Sequence, residues 1–338
     1  MSRKTGGINL DSLSPKRIFY FDNAKFILIF LVVLGHVISP LKEHDNLLLS
    51  LYSIIFLFHM PAFIFISGYF SKGYNKKGYL LKMIKKILLP YFIFQSIYSV
   101  FYYWNGQVAD LQFDLFQPHW TLWFLMSLFW WNLFLYIFAK LKWIGLVIAT
   151  IVGILIGYMD NIGSFLSLSR TFVFFPYFLL GYLLDLKHLK WIKKVKFSPI
   201  IGMTILLITI LLFGLFFPKD AIPWLLGDTS YANMGVKEHI DGLKRLAQYL
   251  VTLIVVYGFL AIVPSKNFKF TIIGKRTLYI YLLHGFIIKT IQAFISDDTL
   301  SIMSDHYLIL ISFSFGLCIL LGSYFIKKYT RPLIELTI

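Results

Sequence analysis

Residues 21–38 read FDNAKFILIFLVVLGHVI, and this stretch decides the fold class. After Lys25 the chain carries no charge for ten residues, until a histidine appears at position 36. Apolar segments of about 20 residues, the length needed to cross a hydrocarbon core of roughly 30 Å, recur along the whole chain. The sequence therefore predicts an all-α, polytopic membrane bundle.

The composition excludes a water-soluble protein. Of the 338 residues, 58% are hydrophobic and only 14% are charged, and the mean hydropathy is +0.74. A soluble surface needs roughly 25–35% charged residues, so most of this chain faces something other than water. The single cysteine, Cys318, lies in an apolar run and supports neither a disulfide framework nor a thiolate metal site. We predict no metal.

The apolar segments divide the chain into about ten spans. Residues 1–20 form a predicted cytosolic tail without a signal-peptide cleavage pattern, residues 21–330 the membrane bundle, and residues 331–338 a second cytosolic tail. The first span is predicted to be a retained anchor. The predicted spans lie near 24–41, 47–71, 87–104, 119–139, 143–158, 170–186, 198–217, 243–263, 277–295 and 307–326.

The net charge of +16 is explained by topology rather than by nucleic acid. If the N-terminus is cytosolic and the spans alternate, most of the 32 Lys and Arg residues fall on the cytosolic side. This is the positive-inside rule over short loops. We therefore predict a multi-pass cell-membrane protein with both termini in the cytosol and no nucleic-acid partner.

Three histidines within spans are candidate site residues. An ionisable group in hydrocarbon costs several kcal/mol and normally faces the bundle interior. His36, His59 and His284 all lie about 12–20 Å from the cytosolic end, counting 1.5 Å per residue. The alternative is that each bonds a buried backbone carbonyl and holds helices together. On the first span, Asp22, Lys25 and His36 share one helix face, as expected for a ligand that lies lengthwise.

Basic residues near the cytosolic ends are candidate phosphate ligands. Lys82 and Lys86 share a helix face at the start of the third span, with Lys85 beside them. Lys275 and Arg276 form a second pair before the ninth span. Such cations bind phosphates as charges, but topology and anionic lipid headgroups explain them equally well.

Two outer loops are informative. Residues 218–242 form the longest one, which is long enough to fold over a cavity mouth. The loop from Trp104 to His119 contains Asp110 and Asp114 and no Lys or Arg. These acidic loops argue against a strongly anionic polymer as the preferred ligand.

Six motifs occur in one order along the chain. The first is Arg17-Ile-Phe-Tyr-Phe-Asp22-Asn-Ala-Lys25, which continues to Gly35-His36. Together with the five others, over residues 17 to about 330, it resembles the integral-membrane acyltransferase family 3, in particular its fucose 4-O-acetylase-like branch. The others are Phe58-His59-Met60-Pro61 with Ser67-Gly68-Tyr69-Phe70, Lys86-Ile-Leu-Leu-Pro90-Tyr91, Trp120-Thr-Leu-Trp123-Phe124-Leu125, Phe175-Pro176-Tyr-Phe-Leu-Leu-Gly181, and Ile273-Gly274 with Tyr281-Leu-Leu-His284.

This resemblance implies transfer of an acyl group, usually acetyl, from cytosolic acyl-CoA to a hydroxyl of a cell-envelope glycan or its precursor. Acetyl-CoA is thus the expected donor. His36 matches the family's essential first-span histidine. Lys25, Lys82 and Lys86 stand where the family often has Arg, which keeps the charge but loses bidentate geometry. Because the chain ends soon after the tenth predicted span, we expect an enzyme without the extracytoplasmic domain that some relatives append.

We predict the following roles. His36 is the general base that takes the proton of the acceptor hydroxyl, or a side chain is transiently acylated instead; the sequence leaves both open. A low-dielectric surrounding favours the neutral imidazole that a base requires. Predicted catalytic residues are His36, Arg170 and His59; predicted acyl-CoA ligands are Lys25, Lys82, Lys85, Lys86, Lys275 and Arg276; predicted acceptor ligands are Trp120, Trp123, Arg245 and His284.

A transporter or flippase for a lipid-linked saccharide, with the histidines in a proton relay, is the alternative function. The sequence shows no inverted pair of broken helices, and carboxylates within its spans are scarce. A transporter would move glycan without consuming CoA. A purely structural scaffold is a third interpretation, disfavoured by the histidines within the spans.

Overall fold

The structure is a computed structural model that describes residues 19–160, 162, 163, 165–236, 238 and 240–336. Residues 1–18 of the predicted N-terminal tail, including Arg17 of the first motif, lie outside the described residues, as do 337 and 338. The described residues form helices and connecting turns and contain no β-strand, which confirms the all-α class.

Fourteen α-helices follow one another in the described part of the chain, with a π-helical turn at Ile84–Leu88 between the third and the fourth. Short 3₁₀ turns occupy several connections, including Trp120–Leu122 and Lys269–Lys275. The helices are α1 Phe19–Ile38, α2 Asn46–Phe70, α3 Tyr79–Met83, α4 Leu89–Trp104, α5 Trp123–Leu155, α6 Leu168–Leu183, α7 Leu186–Lys194, α8 Ser198–Phe216, α9 Ile222–Leu226, α10 Asp241–Ile262, α11 Thr277–Phe294, α12 Asp297–Ser304, α13 Tyr307–Leu321 and α14 Tyr324–Ile334.

Several of these helices are membrane-spanning by length and apolarity. Seven helices of the described chain meet that standard, and an eighth span results if α12 and α13, bent by 95°, are taken together. Two predicted spans correspond to shorter helices, because α4 has 16 residues and α13 has 15. The count of ten spans and the cytosolic side of the termini remain predictions. The predicted boundary at residue 330 falls inside α14.

Helix α5 is two antiparallel segments rather than one rod. Lys142 has non-helical backbone angles of φ 51° and ψ −126°. Ser127 bonds Thr171 at 2.7 Å, and a side chain at Gly153 would meet the carbonyl of Phe172 at 3.0 Å. In a straight helix residues 127 and 153 would be about 39 Å apart, so the chain must fold back at Lys142. The predicted break between the spans 119–139 and 143–158 falls at this residue.

Two motif glycines bring α2 and α6 into backbone contact. A Cβ atom on Gly68 would lie 1.9 Å from the carbonyl oxygen of Phe178, and one on Gly181 would lie 1.9 Å from that of Phe65. Only a residue without a side chain permits so close a crossing, which is a common way to pack helices in lipid.

Helix α1 lies centrally and packs against α2, α11 and α13. Its first turn is anchored by Asn23, which is fully buried. The Asn23 amide donates to the carbonyls of Pro264 and Lys266 at 2.8 Å each, and its oxygen accepts from Thr271 at 2.6 Å. This first turn marks one end of the bundle, and His36 lies in the last turn of α1 toward the opposite end.

Candidate active site

His36 lines a cavity of about 190 Å³ near the end of the bundle where α1 stops. We call this cavity the histidine pocket. Its walls come from α1, α2, α6, α9, α11 and the start of α5, so residues distant in sequence meet there. The lining residues are Val32, His36, Ser39, Tyr52, Phe56, His59, Met60, Trp120, Thr121, Trp123, Arg170, Phe174, Leu225, Leu226 and Tyr281.

The three histidines predicted from sequence come together around this pocket. The ring centroids of His36 and His284 are 5.5 Å apart. The ring of Phe56 lies between His36 and His59, with centroids 5.9 Å and 4.9 Å away. His36 and His59 line the cavity, whereas His284 is fully buried beside His36 and Trp120.

Backbone carbonyls determine the tautomers of two of these rings. Nδ1 of His59 lies 2.6 Å from the carbonyl oxygen of Ile55, and Nδ1 of His284 lies 3.0 Å from that of Ile280. Since a carbonyl only accepts, each Nδ1 must carry the hydrogen and each Nε2 is an acceptor. Among the described residues, Nε2 of His284 has no hydrogen-bond partner although it is buried. A buried acceptor without a donor lowers the stability of the folded protein by about 1–3 kcal/mol.

Trp120 and Trp123 face the pocket from one short segment, and each carries a cation over its ring. Trp120 lies 4.4 Å from His36, centroid to centroid, and Nζ of Lys289 lies 5.2 Å from the Trp120 ring centre. The guanidinium of Arg170 lies 5.1 Å from the ring of Trp123. The Tyr281 hydroxyl donates to the carbonyl of Thr121 and so holds this segment in place.

Arg170 is fixed by groups of the loop that contains α9. It forms an ion pair with Asp228, and its Nε donates to the carbonyl of Leu226 at 3.2 Å. Leu226 and its neighbour Leu225 line the histidine pocket, so the loop predicted to fold over a cavity mouth does border the cavity. Asp228 and Lys289 were not among the predicted site residues, because neither stands in a recognisable motif.

Arg245 does not line the histidine pocket, and it bonds the same loop at Trp224. Its NH1 donates to the carbonyl of Trp224 at 2.7 Å and to Oε1 of Gln248 at 2.6 Å. The guanidinium lies 5.1 Å from the Trp224 ring centre, and the side chain is 1% exposed. The arrangement suits a residue that anchors the loop before Gly227 more than one that contacts a ligand.

A second cavity lies toward the opposite end of the bundle. This lysine cleft has a volume of about 620 Å³ and brings together the three predicted cations Lys82, Lys85 and Lys86. The π-helical turn carries Lys85 and Lys86, and all three side chains are exposed. The cleft is lined by Gly78, Leu81, Lys82, Lys85, Lys86, Leu278, Ile334, Glu335 and Leu336.

Three other predicted acyl-CoA ligands do not line the lysine cleft. Lys25 pairs with Asp22 at 3.0 Å. Arg276 donates to the carbonyl of Gly322 at 2.9 Å, and so caps the end of α13, while Lys275 is exposed.

A third cavity, the apolar passage, lies between the other two. It has a volume of about 170 Å³, and it shares Val32, Met60 and Tyr281 with the histidine pocket and Leu278 with the lysine cleft. Neighbouring cavities of this series therefore share lining residues, and α1 lines the histidine pocket and the apolar passage. The passage is lined by Ile29, Val32, Met60, Phe63, Ser67, Phe124, Leu128, Thr277, Leu278 and Tyr281.

Within the described residues, no group of three or more His, Cys, Asp or Glu side chains is arranged to hold a metal ion. The acids nearest the histidine pocket are already engaged, as Asp228 shows with Arg170.

Comparisons with known proteins agree with this architecture. Residues 18–323 match a family of acyltransferase domains, the acyltransferase 3 family. The nodulation protein NolL of Sinorhizobium fredii (strain NBRC 101917 / NGR234) is 30% identical over 178 residues, which are 48% of this chain and 47% of that protein. The NolL protein of Mesorhizobium japonicum (strain LMG 29417 / CECT 9101 / MAFF 303099) is 50% identical over 56 residues, 16% of this chain and 15% of that one. No solved structure matches. The matched family domain covers most of the chain, and the protein belongs to the acyltransferase 3 family.

Proposed function

We propose that this protein transfers an acyl group, acetyl in the first instance, from cytosolic acyl-CoA to a hydroxyl of a cell-envelope glycan. The observation that carries the proposal is the series of adjoining cavities, which leads from three lysines to a histidine. The series offers cations for the phosphates of the donor, a narrow passage for its extended arm and an imidazole at the reactive end. The family assignment favours acyl transfer over the transport alternative.

In this proposal the lysine cleft holds the phosphates of CoA. Lys82, Lys85 and Lys86 present three ammonium groups to one volume, and ammonium groups bind phosphate as mobile point charges. The apolar passage accommodates the pantetheine arm, whose thioester then reaches the histidine pocket.

His36 acts as the general base. It removes the proton of the acceptor hydroxyl while that oxygen attacks the thioester carbonyl, and it returns the proton to the departing CoA sulfur. No acyl-enzyme is required by this route. Nε2 of His284 has no partner among the described residues, and the ring centroids of His284 and His36 are 5.5 Å apart. In the proposed transfer a small shift of His36 lets this nitrogen accept an N–H from His36, which leaves the second nitrogen of His36 free to act as base.

Positive charge beside the pocket stabilises the oxyanion that forms during attack. Arg170 is the closest candidate, because it lines the cavity and is held by Asp228. Lys289, whose ammonium group lies over the ring of Trp120, adds a second positive charge. The faces of Trp120 and Trp123 offer stacking surfaces for the sugar that carries the hydroxyl. His59 is a candidate hydrogen-bond acceptor for that sugar.

The proposal is tested by deleting the gene and measuring ester groups on the envelope glycans by mass spectrometry. We expect the deletion to remove one acyl group, whose mass identifies it, and wild-type protein to restore it. His36→Ala and His36→Gln should fail to restore it at equal membrane abundance. His44→Ala, a change at an exposed histidine outside the pocket, is the matched control and should behave as wild type.

Two results would contradict the proposal at different points. Unchanged esters in the deletion strain would reject the function itself. Full restoration of the ester by His36→Ala would leave the proposed function intact but would reject His36 as the general base. Membranes with wild-type protein should also release CoA from acetyl-CoA only when glycan is present, whereas a transporter would release none.

A further inference from the structure

A fourth cavity lies beside the histidine pocket and has no part in the proposed transfer. This outer cleft has a volume of about 390 Å³ and lies between the last turns of α4 and the loop that follows. The volume is within the range of about 300–1,000 Å³ typical of small-molecule sites. Its lining residues are Ser99, Tyr102, Val108, Ala109, Asp110, Gln112, Asp114 and His119.

The loop that forms the cleft wall is pinned to α4 by buried side chains. Gln95, fully buried, donates through Nε2 to the carbonyls of Asp114 and Gln117 at 2.7 and 2.8 Å. Its Oε1 accepts from the backbone N–H of His119 at 2.9 Å. These bonds hold an irregular loop of 14 residues, 105–118, in one shape. Ordered loops of this length are usually functional.

The outer cleft and the histidine pocket meet at two consecutive residues. His119 lines the cleft, where its Nε2 lies 2.9 Å from the hydroxyl of Ser99. The next residue, Trp120, lines the pocket and contacts His36. Consecutive Cα atoms are 3.8 Å apart, so one short segment of the chain contributes a side chain to each of the two cavities.

The chemistry of the cleft resembles that of a sugar site. It combines hydroxyl, amide, imidazole and carboxylate groups with the ring of Tyr102, and sugar hydroxyls both donate to and accept from such groups. The lining contains no Lys or Arg and includes the carboxylates of Asp110 and Asp114. A uronic acid or phosphate would meet repulsion there, whereas an uncharged sugar would not.

We propose that the outer cleft is a second glycan subsite, which binds an uncharged sugar unit next to the unit acylated in the histidine pocket. This inference rests on the proposed function for the order of the two subsites. The enzyme then selects its acceptor by two units of the glycan rather than by one.

Glycan binding can be measured without acyl transfer, and this keeps the two proposals separable. The full-length protein in detergent is applied to an array of neutral and uronic-acid-containing bacterial oligosaccharides. We expect wild type and His36→Ala to bind the same neutral oligosaccharides. Asp110→Lys should weaken that binding about tenfold, because it removes an acceptor and adds a cation. Asp220→Lys makes the same charge reversal at an exposed residue outside the cleft and should bind as wild type.

A second variant, at another residue of the cleft, keeps the test valid if Asp110→Lys does not fold. Gln112→Ala, in the exposed part of the lining, should weaken neutral-glycan binding two- to fivefold, with a smaller change expected because only one amide is lost. Both variants should elute as wild type in size-exclusion chromatography.

Three outcomes would overturn the subsite: no glycan bound by wild type, equal binding by Asp110→Lys and Asp220→Lys, or a preference for the uronic-acid glycans. Absence of acyl transfer by the wild-type protein, with neutral-glycan binding intact, would instead reject the proposed function and leave a glycan-binding cleft.

Discussion

The two ends of the cavity series are built differently. In the lysine cleft, Lys82, Lys85 and Lys86 are exposed and surround about 620 Å³. In the histidine pocket, of about 190 Å³, the key rings contact one another at 4.4–5.5 Å, and backbone carbonyls set two of the imidazole orientations. Charge recognition tolerates mobile groups, whereas proton transfer requires fixed geometry. Changes at the pocket should therefore lower kcat, and changes at the cleft should raise KM for acyl-CoA.

The largest effect beyond His36 should come from Arg170. Arg170→Gln removes the cation nearest the forming oxyanion and leaves Asp228 unpaired, so we expect kcat to fall about 100-fold. KM for acetyl-CoA should change less than threefold. Initial-rate CoA release by protein in nanodiscs measures both constants. Asp228→Asn keeps an acceptor for Arg170, so its kcat should fall much less. An equal fall of kcat in the two variants would indicate that both changes only disturb the structure of the loop.

His284 tests whether a buried acceptor orients His36. His284→Ala removes that acceptor, and we expect kcat to fall about tenfold, the equivalent of one buried hydrogen bond, with both KM values unchanged. His284→Asn retains an acceptor of similar size and should recover part of the loss. Steady-state kinetics at matched protein abundance distinguishes the two. If kcat falls equally in His284→Asn and His284→Ala, His284 contributes to packing rather than to the orientation of His36.

The lysine cleft should show the opposite pattern. Replacing Lys82, Lys85 and Lys86 together by Gln should raise KM for acetyl-CoA about tenfold, reduce its dependence on salt, and change kcat little, because each exposed cation contributes less than about 1 kcal/mol. The control replaces Lys187, Lys190 and Lys194, three exposed cations of α7, in the same way. A similar KM increase in both triple variants would point to general surface charge.

Glu335 should give the smallest effect. The hydroxyl of Tyr279, which donates to its Oε1 at 2.6 Å, lowers the pKa of this carboxyl, with further lowering by Lys327 and Arg331. Because a lowered pKa keeps Glu335 charged down to more acidic pH, the Glu335→Gln variant and wild type should show parallel pH dependences of KM for acetyl-CoA between pH 5 and 8. Glu335→Gln removes a negative charge from the lysine cleft and should lower that KM about twofold. An increase in KM would show that the carboxylate helps to order the cleft.

Much of the site was visible in the sequence because hydrocarbon makes polar residues conspicuous. His36, His59 and His284 interrupt apolar runs, and the structure brings them together around one pocket. Asp228 is not predicted, since a polar residue in a loop is unremarkable until its partner is known. Lys289 and Gln95 lie within α11 and α4, and only the structure shows which groups they contact. Arg245 is predicted as an acceptor ligand because it is a cation early in the eighth predicted span, yet its guanidinium donates to Trp224 and Gln248.

The sequence by itself determined the all-helical class, the membrane environment and the residue types available for chemistry, because these follow from hydropathy and from the cost of burying charge. Only the tertiary structure decided which of those residues share a cavity, how α5 folds back at Lys142, and that neighbouring cavities share lining residues. The physical reason is that helix packing depends on close contacts between distant segments, such as those of Gly68 with Phe178 and of Gly181 with Phe65. Periodicity along one chain carries no information about which distant segment fills such a gap.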